Sequence, residues 1–145
     1  MIRASFHPKD SNRVLTSGWG DKRARIWDVN REIVIQKFHH PGGVLNHSEW
    51  SRDGSLVVTA SSDRSAAVWN AETGDMLQSF SGPGQVRSVR WSPDGARIAF
   101  AAGHSLTICR FEDGEIEHHI GSAHNKNILR LCWSPDGTRI ITTCS

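Results

Sequence analysis

Apolar and polar positions along the chain fall into short alternating runs of about five or six residues, separated by clusters of Gly, Pro, Asp, Asn and Ser. Between 45 and 80 four such runs follow one another, Leu45–Trp50, Leu56–Ser61, Ala66–Asn70 and Met76–Phe80. Their lengths are those of strands, and turn residues punctuate them. Three ladders then share one period. Trp50, Trp91 and Trp133 are 41 and 42 residues apart, with Phe6 lying 44 before Trp50. Trp27, Trp69 and Cys109 are 42 and 40 apart, and Phe38, Phe80 and Ile120 each lie 11 residues after the matching member of that series. Self-similarity at a fixed period marks a repeat architecture.

The most literal repetition is WSPDG, at 91–95 and again at 133–137, with WSRDG at 50–54 and FHP at 6–8. It reads as a hairpin corner: Pro93 presets one turn dihedral, Asp94 tolerates the next position, and Gly95 ends the turn. The run closed by Trp91 therefore pairs with the run around Ile98. Glu72–Gly74 makes the next hairpin, and Glu112–Gly114 takes its place one repeat later.

A four-stranded sheet of about 40 residues cannot bury both faces alone, and stacking such sheets around an axis gives a propeller. Here the residues resemble the WD-repeat β-propeller family, through RIWD at 25–28, SSDRSAAVWN at 61–70, VRSVRWSPDGARIAF at 86–100 and ILRLCWSPDGTRIITT at 128–143. The expected fold is all-β, with blades of four antiparallel strands near 1–38, 44–80 and 86–120 and an incomplete blade at 128–145. That is about three and a half blades. The family closes its ring with more, commonly seven, so the chain reads as a fragment of a seven-bladed ring. Open outer blades would expose an apolar face and an unpaired strand edge, which invites self-association. A simple closed dimer is disfavoured, because the last blade's third and fourth strands would have no donor.

The resemblance also implies a buried hydrogen-bonded set: His before the first strand, Ser or Thr on the second, Asp in the following turn and Trp on the third. The second repeat offers His40, Thr59 or Ser61, Asp63 and Trp69. The first offers Ser17, Asp21 and Trp27, with no upstream segment in this chain to supply a His. The third departs throughout, with Gly82, Phe100, Gly103 or His104, and Cys109 in those places and a turn one residue shorter. The fourth keeps His124 and Thr142. A His–Thr–Asp series invites a nucleophilic reading, but no Gly-rich elbow or oxyanion element accompanies it, so the set reads as scaffold. Asp53, Asp94 and Asp136 read as turn formers.

Composition narrows the function. Lys+Arg 17 against Asp+Glu 15 gives +2, which provides no strongly basic face for nucleic acid. No apolar run approaches the ~18 residues that span a bilayer, and the first residues lack a signal-peptide core. Cys109, Cys132 and Cys144 are odd in number and lack CxxC spacing, which fits a cytoplasmic or nuclear reducing compartment. His39–His40 and His118–His119 look like metal ligands, yet adjacent strand residues point to opposite faces. No metal or cofactor is expected. Trp19 falls outside the Trp ladders, and with Arg64, His47, Arg87, His104 and Arg130 it forms the expected contact face for a protein or peptide partner. The resemblance implies a non-catalytic binding scaffold, part of a longer protein or complex. A regulatory or sensor domain of a multidomain signalling protein is the second reading. A propeller enzyme would need convergent carboxylates or metal ligands at the axis, and the sequence offers none.

Overall fold

The computed structural model describes residues 3–18, 22–40 and 42–145. Among them are fourteen strands and no helix. Strands β1 (Arg3–Phe6), β2 (Arg13–Ser17), β3 (Arg23–Asp28) and β4 (Ile33–His39) form the first sheet; β5 (Leu45–Trp50), β6 (Leu56–Ser61), β7 (Ser65–Asn70) and β8 (Met76–Ser81) form the second. The third holds β9 (Val86–Trp91), β10 (Arg97–Ala102), β11 (Ser105–Arg110) and β12 (Ile116–Ile120), and a two-stranded sheet holds β13 (Ile128–Trp133) and β14 (Ile140–Cys144). Within each sheet every strand pairs antiparallel with its neighbour in sequence. This is the blade architecture expected of the repeat, three four-stranded sheets and half of another.

The repeated corner forms for a reason that the Pro-Asp-Gly reading passes over. In the third sheet Ser92 Oγ donates to Asp94 Oδ1 at 2.5 Å and accepts the Arg97 N–H at 2.9 Å, while Asp94 Oδ1 accepts the Ala96 N–H at 3.0 Å. Ser51–Asp53 and Ser134–Asp136 repeat the arrangement. The serine ties both arms of the hairpin, and the glycine that follows is left-handed, with φ of 82° at Gly54, 75° at Gly95 and 70° at Gly137. Hydrogen bonds from the Ser and then the Ser or Thr side chains hold the Asp53 and Asp136 carboxyls down to about 2.

The core lies between sheets. Leu15, Ile26 and Phe38 of the first sheet meet Leu45, Val57 and Trp69 of the second. Val58, Val68 and Phe80 on its opposite face meet Val89, Ile98 and Phe100 of the third. Ala99, Ala101 and Leu106 then meet Ile128 and Leu131. Two-sided burial explains the nearly continuous apolar run of β6. Each fully buried large side chain contributes about 1.5–3 kcal/mol of transfer free energy. The ladder Phe38, Phe80, Ile120 ends differently: Phe38 and Phe80 are buried, but Ile120 is 51% exposed. Ile120 follows a sheet face against which only β13 and β14 pack among the described residues, so the cover that its two counterparts have is missing.

The first strands lie side by side, β1 touching β5, β5 touching β9 and β9 touching β13. They are the inner strands. The fourth strands carry the exposed Ile33, Met76, Leu77 and Ile116 on the outside. Turns therefore gather at two rims, one of which carries the β6–β7 and β10–β11 turns.

Candidate functional site

Three polar constellations stand on this frame. The first lies inside the second sheet. His40 Nε2 is 2.6 Å from Thr59 Oγ1, and the Trp69 indole N–H donates to the same oxygen at 2.8 Å. His40 Nδ1 is 3.3 Å from Asp63 Oδ2 and 3.2 Å from Ser65 Oγ. A carboxylate only accepts, so Nδ1 carries the proton, and Thr59 must donate its O–H to Nε2 while receiving from Trp69. Each member is then satisfied. Burial pushes the His40 imidazole below its ordinary value, and the opposing pull of Asp63 does not overcome it. Burial alone would raise Asp63, but bonds from the Ser65 hydroxyl and N–H hold its carboxyl below the usual range. Thr59 is 0% exposed and His40 2%. A nucleophile so enclosed meets no substrate, and the arrangement does the work of satisfying a turn and a blade interior.

The hydroxyl position is settled by strand alternation. Val57 opposes Trp69, so Thr59, two residues on, shares the face of the indole. Ser61 instead accepts the Asp63 N–H at 3.2 Å and shapes the turn. In the first sheet Val14 opposes Trp27, and the Trp27 N–H donates to Thr16 at 2.8 Å. The expectation of Ser17 there is therefore corrected: Ser17 lies one residue further, on the other face, and accepts from Ser48 of β5 at 2.8 Å. Asp21 lies outside the described residues. In the two-stranded sheet His124 Nε2 is 2.6 Å from Thr142 Oγ1.

The third sheet has no such set. Phe100 occupies the Thr59 place, opposite Thr107, and is fully buried against Phe80 with ring centroids 6.1 Å apart. A Cβ on Gly82 would strike the Ala102 Cβ, with Phe100 at 3.5 Å. The aromatic ring occupies the space beside the place where the second sheet holds its imidazole. Burial raises the Cys109 thiol to about 11, so it serves as a small apolar residue.

The second constellation is a consequence. On the second sheet the rim is filled, since a Cβ on Gly43 would strike the Asp63 backbone and the Ser61 hydroxyl. On the third sheet Gly84 faces Gly103, and the turn from Ala102 to Ser105 has lost a residue and its carboxylate. A depression of 490 Å³ opens there, lined by Pro83, Gln85, Arg87, His104 and Asn127 among others. Arg87 and His104, both expected at a contact face, come together.

The described remaining members of that expected face, Arg64, His47 and Arg130, do not join them. Trp19 lies outside the described residues. Arg64 is exposed on the β6–β7 turn with φ of 74°, its carbonyl accepting the Gly82 N–H at 2.8 Å. His47 is a correction. It is 1% exposed, and its Nδ1 accepts the Val89 N–H at 3.3 Å. Burial and then the charge of Arg90 and Arg3 push its pKa down to about 3. His47 belongs to a third constellation on the inner strands, where side chains of one sheet cap the open edge of the next. Glu49 Oε2 accepts the Trp91 N–H at 3.2 Å, and Ser88 Oγ accepts the Leu131 N–H at 3.3 Å. Sequence reasoning missed Glu49 and Ser88. The available signal was a polar residue one or three places before each Trp of the first ladder. Arg130 also belongs here, lining an inner cavity with His47 and Glu49.

Comparison with known proteins agrees with this architecture. A family model described as "WD domain, G-beta repeat" matches residues 33–70, 74–111 and 115–145. Each match starts at the outer strand of one sheet and continues into the next, so the sequence unit straddles two sheets. "Small ribosomal subunit protein RACK1" of Drosophila melanogaster is 28% identical over 141 residues, covering 91% of this chain and 44% of that protein. Its namesake from Caenorhabditis elegans is 28% identical over 142 residues, covering 91% of this chain and 43% of that protein. The chain thus spans less than half the length of these curated relatives.

Proposed function

The chain belongs to the WD-repeat family of β-propellers, and on that premise we propose that it is a non-catalytic scaffold that captures a protein or peptide at the third-sheet rim. The observation that supports this reading is the glycine-lined depression holding Arg87 and His104. A cation and an imidazole border a concave site whose walls are short connections held at both ends by strands β8 to β13, so a partner gains charge-assisted bonds with little ordering of the site. The fitting partner presents an acidic or hydroxyl-bearing segment narrow enough to enter the depression lined by Gln85, Arg87, His104 and Asn127. We place this activity in the cytoplasm. The names of the relatives supply the first macromolecular assembly to try, the small ribosomal subunit.

The test starts from peptides selected on the immobilised chain from a displayed random library. Titration of a selected peptide should give an affinity that Arg87→Glu weakens at least tenfold, a loss of about 1.4 kcal/mol. Equal affinity for the variant, with an unchanged circular-dichroism spectrum, overturns the assignment. Co-sedimentation with small ribosomal subunits, with and without Arg87→Glu, then asks whether the same rim serves that assembly.

A further inference from the structure

The cavity between the inner strands is chemically unlike the rim. It measures 430 Å³ and is lined from four sheets, by Arg3 and Ser5 of β1, His47 and Glu49 of β5, Arg90 of β9 and Arg130 of β13. Three arginines against one glutamate leave +2 with the imidazole neutral, which equals the formal net charge of all 145 residues. One small space therefore holds an excess as large as the whole chain's. Glu49, already counted in that balance, is committed to the β9 edge. Its Oε1 is engaged by Arg90 Nη1 at 2.9 Å and its Oε2 by the Trp91 N–H at 3.2 Å. Arg90 is further fixed by its Nε, which donates to the Leu131 carbonyl at 3.4 Å. Arg3 Nε is buried with no hydrogen-bond partner among the described residues. His47 uses Nδ1 to accept from Val89, which leaves its proton on Nε2 as a neutral donor.

We propose that this inner cavity binds a phosphate-class oxyanion, free or as the phosphoryl group of a small polyphosphate, with Arg3 and Arg130 as its ligands and the Glu49-anchored Arg90 as a fixed cationic wall. Guanidinium forks match phosphate oxygens in pairs, and such bonds strengthen where water is partly excluded. The repulsion within the set points the same way: burial, and then the charges of Arg130 and Arg90, push the Arg3 guanidinium below its ordinary value. An anion between them removes that repulsion. Because its ligands come from β1 and β13, the anion also ties the first sheet to the last, and binding stabilises the stacked fold by mass action. This site is separate from the proposed rim contact and stands or falls without it.

The test titrates the full chain with inorganic phosphate and with tripolyphosphate against sodium chloride of equal ionic strength, read by calorimetry and by melting temperature. We expect one saturable site and a rise in melting temperature that chloride does not reproduce. Arg3→Gln and Arg130→Gln should each weaken binding at least tenfold, while Arg87→Gln at the rim leaves it unchanged. Similar affinity for both probes identifies free phosphate as the ligand, and tripolyphosphate binding at least tenfold tighter identifies a phosphoryl chain. Should a variant lose its fold, the wild-type Arg3 and Arg90 Nε–H resonances decide, since they must shift with the same saturation curve. No saturable binding above the chloride control, or an equal loss in Arg87→Gln, overturns the proposal.

Discussion

The second and third sheets solve the same geometric problem with opposite chemistry. In the second, a relay from Trp69 through Thr59 and His40 to Asp63 fills the interior and the rim turn with mutually satisfied polar groups. In the third, Phe100 and Cys109 fill the equivalent interior with apolar atoms, and Gly82 makes room. Both sheets keep four strands, the same Ser-x-Asp-Gly corner and tight packing on two faces. The relay is therefore one way of filling a blade, not a condition for forming it. Dropping it has a visible result: the carboxylate leaves the rim, and a concave surface takes its place.

The comparison breaks most sharply at the indole. Trp69→Ala should cost about 3–5 kcal/mol, the range for truncating a buried aromatic residue. The matching Cys109→Ala should cost about 1 kcal/mol, on the scale of one buried methylene-sized group. Urea denaturation of both variants gives the ratio. Next is Thr59→Val, which keeps the shape and leaves the Trp69 N–H and His40 Nε2 buried without partners. At about 1–3 kcal/mol for each of the two orphaned groups, the expected loss is about 2–6 kcal/mol, most of it restored by Thr59→Ser.

Protonation separates the sheets as well, because the buried imidazoles His40 and His47 both belong to the second. The His47 pKa falls from 6.5 to about 3 on folding, so its proton binds the unfolded chain more tightly. Its contribution is complete above pH 6.5 and is lost as the pH falls toward 3, at about 1.4 kcal/mol per pH unit. Denaturation midpoints measured across that window should show this slope, and His47→Gln, which keeps an acceptor for Val89, should flatten it. Smaller still is the effect at the corners. Gly95→Ala meets open space and should cost about 1 kcal/mol for its left-handed backbone alone. Gly54→Ala must also displace the His7 ring, which the added Cβ would strike, and should cost more. Paired thermal melts of the two variants measure the difference.

The sequence disclosed what is periodic and obscured what depends on a face or a neighbour. Trp50, Trp91 and Trp133 marked the inner strands, and the Gly after each Asp marked the corners. The choice between Thr59 and Ser61, and the mistaken Ser17 for Thr16, are face assignments that become definite only when the residue opposite each Trp is known. Arg87 and His104 could be singled out, yet their meeting depends on Gly84 and Gly103, which carry no side chain to notice. His47 looked like a contact residue because its acceptor role is toward a backbone N–H of the next sheet, 42 positions away. Arg90 and Arg130 recur one and three places before their Trp, but that they meet Arg3 in one cavity depends on the stacking of four inner strands.

The most direct test of the account is amide chemical-shift mapping of the isotope-labelled chain titrated with a selected peptide. The account predicts that the shifts centre on Gly84, Gln85, Arg87, Gly103 and His104, with little change at Gly42, Gly43 and Asp63, their counterparts on the filled rim of the second sheet. Shifts centred on the second-sheet rim, or on the outer strands β4, β8 and β12, would contradict it and show that losing the relay did not create the binding surface.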